Sequence, residues 1–88
     1  MISREVLITN KRGLHARASA RFVTMASELL VVVEVEKDGS RVVGTSIMGL
    51  MMLGAAMGDS VTITASGDGA DEAVTKLCDL IEAKFGEE

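Results

Sequence analysis

The chain has 88 residues, 48% of them hydrophobic, and sets 13 acidic side chains against 9 Lys and Arg for a formal charge of −4. Such a hydrophobic share excludes a disordered tract and suits one folded domain over 1–88. The acidic balance, with Phe22 and Phe85 the only aromatics, argues against nucleic acid as a partner, since neither a basic stripe nor a stacking platform is available.

The first predicted element is a strand over residues 2–9, with Ile2, Val6 and Ile8 on one face by the two-residue period. A helix follows from about Ala16 to Ser27, with Ala20, Val23 and Ala26 as its apolar stripe and Phe22 widening it. Val31 to Glu36 reads as a second strand that turns Val31, Val33 and Val35 inward. Lys37-Asp38-Gly39-Ser40 then makes a tight hairpin, because Asp-Gly tolerates the positive φ of a type I′ turn. Arg41 to Val43 is a short strand expected at a sheet edge, where a basic residue discourages further pairing.

Ser46 is placed to cap a short apolar helix. Leu50 and Leu53 are expected inward, Ile47, Met48 and Met51 outward, and Met52 in the core, with Gly54 and Gly58 as stop signals. Val61 to Ala65 is the fourth strand. The last helix, roughly Ala70 to Phe85, carries Val74, Leu77, Ile81 and Phe85 as its stripe and Asp71 and Glu72 in its first turn. The order β-α-β-β-α-β-α, with one apolar face per strand, implies an α+β fold: an antiparallel sheet with its helices on one side.

No membrane partner is expected. The longest apolar-rich run, 46–57, is too short to cross a bilayer. Without a charged-then-apolar leader, and with Cys78 as a lone cysteine that makes no internal disulfide, a cytoplasmic setting is expected. Cys78 itself reads as a packing residue. Nothing resembles a metal-ligand cluster or a Walker-type loop, so no cofactor and no self-contained enzyme are expected.

Chemistry concentrates at Asn10-Lys11-Arg12-Gly13-Leu14-His15-Ala16-Arg17-Ala18-Ser19-Ala20-Arg21, where the only histidine sits at a strand-to-helix turn. The first N–H groups of a helix lack carbonyl partners, and with the positive end of the dipole they form an anion site. An imidazole there can take up a phosphoryl group whose oxygens meet the N–H groups of Ala16, Arg17 and Ala18, and the guanidinium of Arg17 suits phosphate geometry. A plain capping or surface histidine is the alternative reading of these residues. Residues 1–21 carry Arg4, Lys11, Arg12, Arg17 and Arg21 against Glu5 alone, an asymmetry suited to steering anionic partners.

Gly13-Leu14-His15-Ala16-Arg17, with Ser19-Ala20-x-Phe22-Val23, resembles the active-site segment of HPr, the histidine-containing phosphocarrier family of the phosphoenolpyruvate-dependent phosphotransferase system. Gly44-Thr45-Ser46-Ile47-Met48-Gly49-Leu50-Met51-Met52-Leu53 is similar to the family's regulatory-serine region, and the likeness runs over almost the whole chain. One departure is Ala18, where the family commonly has proline; a first helical turn accepts proline without requiring it.

The resemblance implies the open-faced β-sandwich, with sheet order one-four-two-three. It implies that Nδ1 of His15 accepts phosphate from phosphorylated enzyme I, with phosphoenolpyruvate as ultimate donor, and hands it to IIA-type acceptor proteins. It makes Arg17 the charge-compensating side chain and Ser46 the target of an HPr kinase/phosphorylase. Ala20, Ile47, Met48 and Met51 become the docking residues of a monomeric carrier. The apolar 47–53 segment and Ala18 look more like carriers of the nitrogen-regulatory branch than of sugar uptake. A regulatory domain holding an anionic metabolite at the same helix start, without covalent chemistry, is the competing class.

Overall fold

A computed structural model describes residues 1–86. The elements are β1 (Ile2–Leu7), α1 (Ala16–Ser27), β2 (Val33–Lys37), β3 (Ser40–Val43), α2 (Ile47–Met52), β4 (Ser60–Ala65) and α3 (Ala70–Glu82), then a short 3-10 turn over Lys84–Gly86. All strand pairs are antiparallel, and the sheet order is β1-β4-β2-β3. This is the expected open-faced sandwich.

Alternation along the strands sorts the two faces. Val6, Val33, Val35, Val61, Ile63 and Ala65 are buried under the helices, while Ser3, Glu5, Glu34, Glu36 and Thr62 lie on the other side. On that open side Ser3 Oγ and Thr64 Oγ1 share a hydrogen bond of 3.0 Å, and Arg41 reaches Glu36 at 3.2 Å and Glu34 at 3.5 Å. Arg41 therefore lies over the edge it was expected to guard. The β2–β3 turn holds Asp38 at φ 50° and Gly39 at φ 84°, the two positive angles a type I′ turn demands.

Six details of the sequence reading change. β1 ends at Leu7, yet Ile8 stays in the core because its N–H donates to Asp59 O and its carbonyl accepts from Gly58 N–H. Ile2 is 38% exposed at the other end of β1, and β2 starts at Val33 rather than Val31. The buried face of α1 is Ala18, Ser19, Phe22 and Ala26, which leaves Ala20 and Val23 half-buried. The stripe turns because Ser19 is fully buried with Oγ donating to Leu14 O at 3.2 Å.

Met52 is 79% exposed and lies outside the core: α2 has only 6 residues, and Leu50 and Leu53 already fill its inward side. Finally, α3 stops at Glu82 instead of continuing to Phe85. Lys84 and Phe85 turn back at φ 57° and 56°, and this reversal drives Phe85 fully into the core. Burying a phenylalanine is worth roughly 1.5–3 kcal/mol, enough to offset left-handed strain of roughly 1–2 kcal/mol per residue only with further help. That help is a hydrogen bond from Arg21 Nη1 to Phe85 O at 2.9 Å.

The thiol of Cys78 is fully buried on α3. Burial pushes it above its ordinary 9.0, against the lowering effect of the nearby Arg4 guanidinium. The raised group titrates later in the folded chain than in the unfolded one, so its contribution to stability is complete below pH 9 and drains away above it. The urea midpoint should therefore fall more steeply above pH 9 in the native chain than in Cys78→Ala; parallel profiles would remove the thiol from the account.

Candidate functional site

The site begins with a glycine. Gly13 holds φ +63°, and a Cβ there would sit 2.7 Å from Ala56 Cα and closer still to Ala55 O. Its neighbour uses the approach: Leu14 N–H donates to Ala55 O at 2.9 Å. The turn before it is closed from both sides. Gly13 N–H donates to Asn10 O at 3.2 Å, and Asn10 Nδ2 donates back to Gly13 O at 2.9 Å from a fully buried side chain. The 9–14 loop is thus fastened to the segment that follows α2.

His15 emerges from this loop as the N-cap of α1, extended at φ −76° and ψ −177°. Its carbonyl accepts the Ser19 N–H at 2.9 Å, the first hydrogen bond of the helix. Its ring is turned so that Nδ1 accepts the Arg17 N–H at 3.2 Å. The imidazole thus does what a capping Ser or Asp oxygen does. It follows that Nδ1 carries a lone pair aimed at the helix mouth, and the proton of a neutral ring sits on Nε2. The ring is half-buried, and Ala16 and Arg17 beside it are exposed.

Ala16, Arg17 and Ala18 occupy the first three helical positions, whose N–H groups have no carbonyl acceptor in the helix. Ala18 is fully buried as a whole residue, so of the three only Ala16 and Arg17 present surface. Two of the five N-terminal cations reach other parts of the fold. Arg21 holds the Phe85 carbonyl, and Arg4 donates to Thr75 Oγ1 at 3.3 Å on α3. Lys11, Arg12 and Arg17, all exposed, form the basic rim on either side of His15 in the chain.

The second segment is placed as expected. Ser46 caps α2, with Oγ accepting the Gly49 N–H at 3.0 Å. Gly49 lets α2 sit close to β3, since a Cβ there would stand 3.0 Å from Val42 Cβ. Ile47, Met48 and Met51 are 41%, 69% and 42% exposed on the outer side of the helix. α2 packs beside α1, where half-buried Ala20 lies one turn beyond the helix start. A hollow of about 640 Å³ is lined by Met1, Leu30, Val31, Thr64, Ala65 and Gly67 among others, none from the His15 segment. A smaller one of about 380 Å³ runs along α1, lined by Arg17, Ala20, Arg21 and Thr24 among others.

An exposed basic rim and a lone pair at a helix mouth suit a group passed between protein surfaces. Residues 2–83 match the family described as "PTS HPr component phosphorylation site". The chain belongs to the HPr family. HPr of Neisseria meningitidis is 48% identical over 87 residues, covering 99% of this chain and 98% of that one. The phosphocarrier NPr of Shewanella violacea is 40% identical over 89 residues, covering 98% and 94%. HPr of Thermoanaerobacter tengcongensis superimposes with a TM-score of 0.95 at 49% identity, covering 100% of this chain and 99% of that one. A dimer of HPr from the same organism matches less well, at 0.78 and 48% identity over 99% and 100%.

Membership in the HPr family makes the protein a phosphocarrier of the phosphotransferase system. Its likeness to the nitrogen-regulatory branch draws no preference from these relatives, the HPr being closer than the NPr. Among the described residues no helix is long and apolar enough to cross a membrane.

Sequence reasoning found His15 and its helix but missed what holds them. The pair Asn10 and Gly13 was the available signal, a residue prone to Asx turns three before one that accepts positive φ; the partner, Ala55, carries none. Gly13→Ala should cost roughly 3 kcal/mol or more in urea unfolding, because strain and a backbone clash coincide. Gly39→Ala has positive φ with nothing within 4 Å and should cost only about 1–2 kcal/mol. Equal losses would mean that the Gly13–Ala55 approach constrains nothing.

Proposed function

We propose that Nδ1 of His15 accepts a phosphoryl group from a phosphohistidine of enzyme I, itself charged from phosphoenolpyruvate, and passes it to IIA-type acceptor proteins. The observation that carries this reading is the Arg17 N–H donating to Nδ1 at 3.2 Å. It marks that nitrogen as the one bearing the lone pair. In the transfer the donor's N–P bond breaks as the bond from phosphorus to Nδ1 forms, with the two nitrogens in line. The Arg17 N–H then shifts from the nitrogen to a phosphoryl oxygen.

The N–H groups of Ala16, Arg17 and Ala18 and the guanidinium of Arg17 compensate the charge of the passing group. None of them moves a proton. The phosphoramidate formed on His15 remains reactive enough for the acceptor to take the phosphoryl group onward. Ala20, Ile47, Met48 and Met51 form one docking surface beside His15, used in turn by donor and acceptor, and the carrier works as a monomer. A shared, partly apolar patch of this size suits partners that must bind and leave.

Incubation with enzyme I and labelled phosphoenolpyruvate should place acid-labile, base-stable phosphate on His15 and none on His15→Ala. Arg17→Ala should accept it about tenfold more slowly with an unchanged circular dichroism spectrum. A chain that stays unlabelled beside active enzyme I would refute the carrier reading and leave the metabolite-binding alternative.

Ser46 is the proposed target of an HPr kinase/phosphorylase. Its half-buried Oγ lies next to Ile47 and Met48, so a phosphate there sets roughly −1.5 to −2 charges against the apolar contact. A docking partner would have to desolvate that charge or stand off from it. Ser46→Asp should slow labelling of His15 about tenfold or more at limiting enzyme I. An undiminished rate would show that this position does not govern docking.

A further inference from the structure

Methionine is a residue of interiors, and here its placement is reversed. Met48, Met51 and Met52 are 69%, 42% and 79% exposed, all within one turn and a half of α2. At 100° per residue they project to the side opposite Leu50 and Leu53, which are buried. Met57, 58% exposed, follows in the loop before β4. Met1, 88% exposed, stands just before β1, away from this helix in the chain, and the remaining thiol and benzyl rings are withdrawn: Cys78 is wholly buried with its thiol held in the protonated form, and Phe22 and Phe85 are enclosed. The sequence has no Trp or Tyr. An oxidant arriving from solution therefore meets thioethers on the docking helix before any thiol or ring.

We propose that Met48, Met51 and Met52 form a modification site for peroxide-class oxidants, and that their sulfoxides weaken phosphoryl transfer by making the docking face polar. The inference rests on the docking role given to α2 above. The chemistry balances within the two reactants. A sulfur lone pair attacks one peroxide oxygen, the O–O bond breaks, and an S=O group forms as the second oxygen leaves as water with both peroxide protons. Sulfur is oxidised by two electrons and the peroxide reduced by two. Each sulfoxide then presents a strong acceptor dipole to a partner that expected a pliable apolar side chain.

The rest of the fold is insulated from the change. α2 is anchored by Leu50 and Leu53 and by the Ser46 cap, none of which touches the oxidised atoms' outward side. Met25, packed against the core, is the shielded internal control.

Treatment of the purified chain with hydrogen peroxide, followed by peptide mass mapping, should show sulfoxide on Met1, Met48, Met51, Met52 and Met57 well before Met25. The initial rate of His15 labelling at limiting enzyme I should then drop about tenfold, with the circular dichroism spectrum unchanged. Methionine sulfoxide reductases of both stereospecificities should restore it. Met57→Leu should keep the full peroxide response. Met48→Leu/Met51→Leu/Met52→Leu, whatever its starting rate, should show none. Equal rates before and after oxidation, a loss accompanied by unfolding, or a response that survives the triple substitution would each overturn the proposal. An untreated chain that enzyme I fails to label would instead overturn the carrier reading beneath it.

Discussion

One backbone hydrogen bond fixes the geometry on which the remainder depends: Leu14 N–H to Ala55 O, made possible by the bare Cα of Gly13. It ties the loop carrying His15 to the segment leaving α2, two stretches 41 positions apart in the chain by their residue numbers. Without that tie the N-cap histidine would ride on a free loop, and its orientation relative to α2 would vary. With it, the imidazole, the open N–H groups of α1 and the outer face of α2 hold a constant arrangement before any partner arrives. Preorganisation of this kind spares the ordering cost that a flexible loop would incur at every encounter.

The helix start has one donor with two uses under the proposed transfer. The Arg17 N–H rests on Nδ1 and fixes the ring. With a phosphoryl group on that nitrogen, as proposed, the same donor would turn to a phosphoryl oxygen, and the change of state would cost the backbone little movement. On that proposal capping and chemistry are alternative uses of one hydrogen bond, which accounts for a histidine where Ser or Asp would cap more conventionally.

Much of this was legible in the residues. Hydrophobic period and turn chemistry gave the element order, the Asp38-Gly39 hairpin and the bounds of α1, because each rests on local rules that the tertiary context did not overrule. His15 at the helix mouth and the Ser46 cap were local too. The failures share a cause. The buried face of α1, Met52 and the end of α3 were misjudged because their fates hang on partners outside the local pattern: the Leu14 carbonyl that holds Ser19, the width of a helix already filled by two leucines, and the hold of Arg21 on Phe85. Periodicity registers how apolar a side is, not how much room faces it. Ala55 was invisible as a site residue for the same reason, since it acts through its carbonyl on a loop far along the chain.

The outermost strand carries one more implication. β1 ends the sheet with an unpaired side, the usual invitation to a second molecule. Two copies joined there about a two-fold axis must match residues that share a face, so partners differ by an even number of positions. The registers that join the most of Ile2–Leu7 then set Arg4 against Arg4 or Glu5 against Glu5. Adjacent charges of opposite sign thus place like against like in both of these registers, an electrostatic cost on edge-to-edge pairing at β1 that neither direction of slip between them removes.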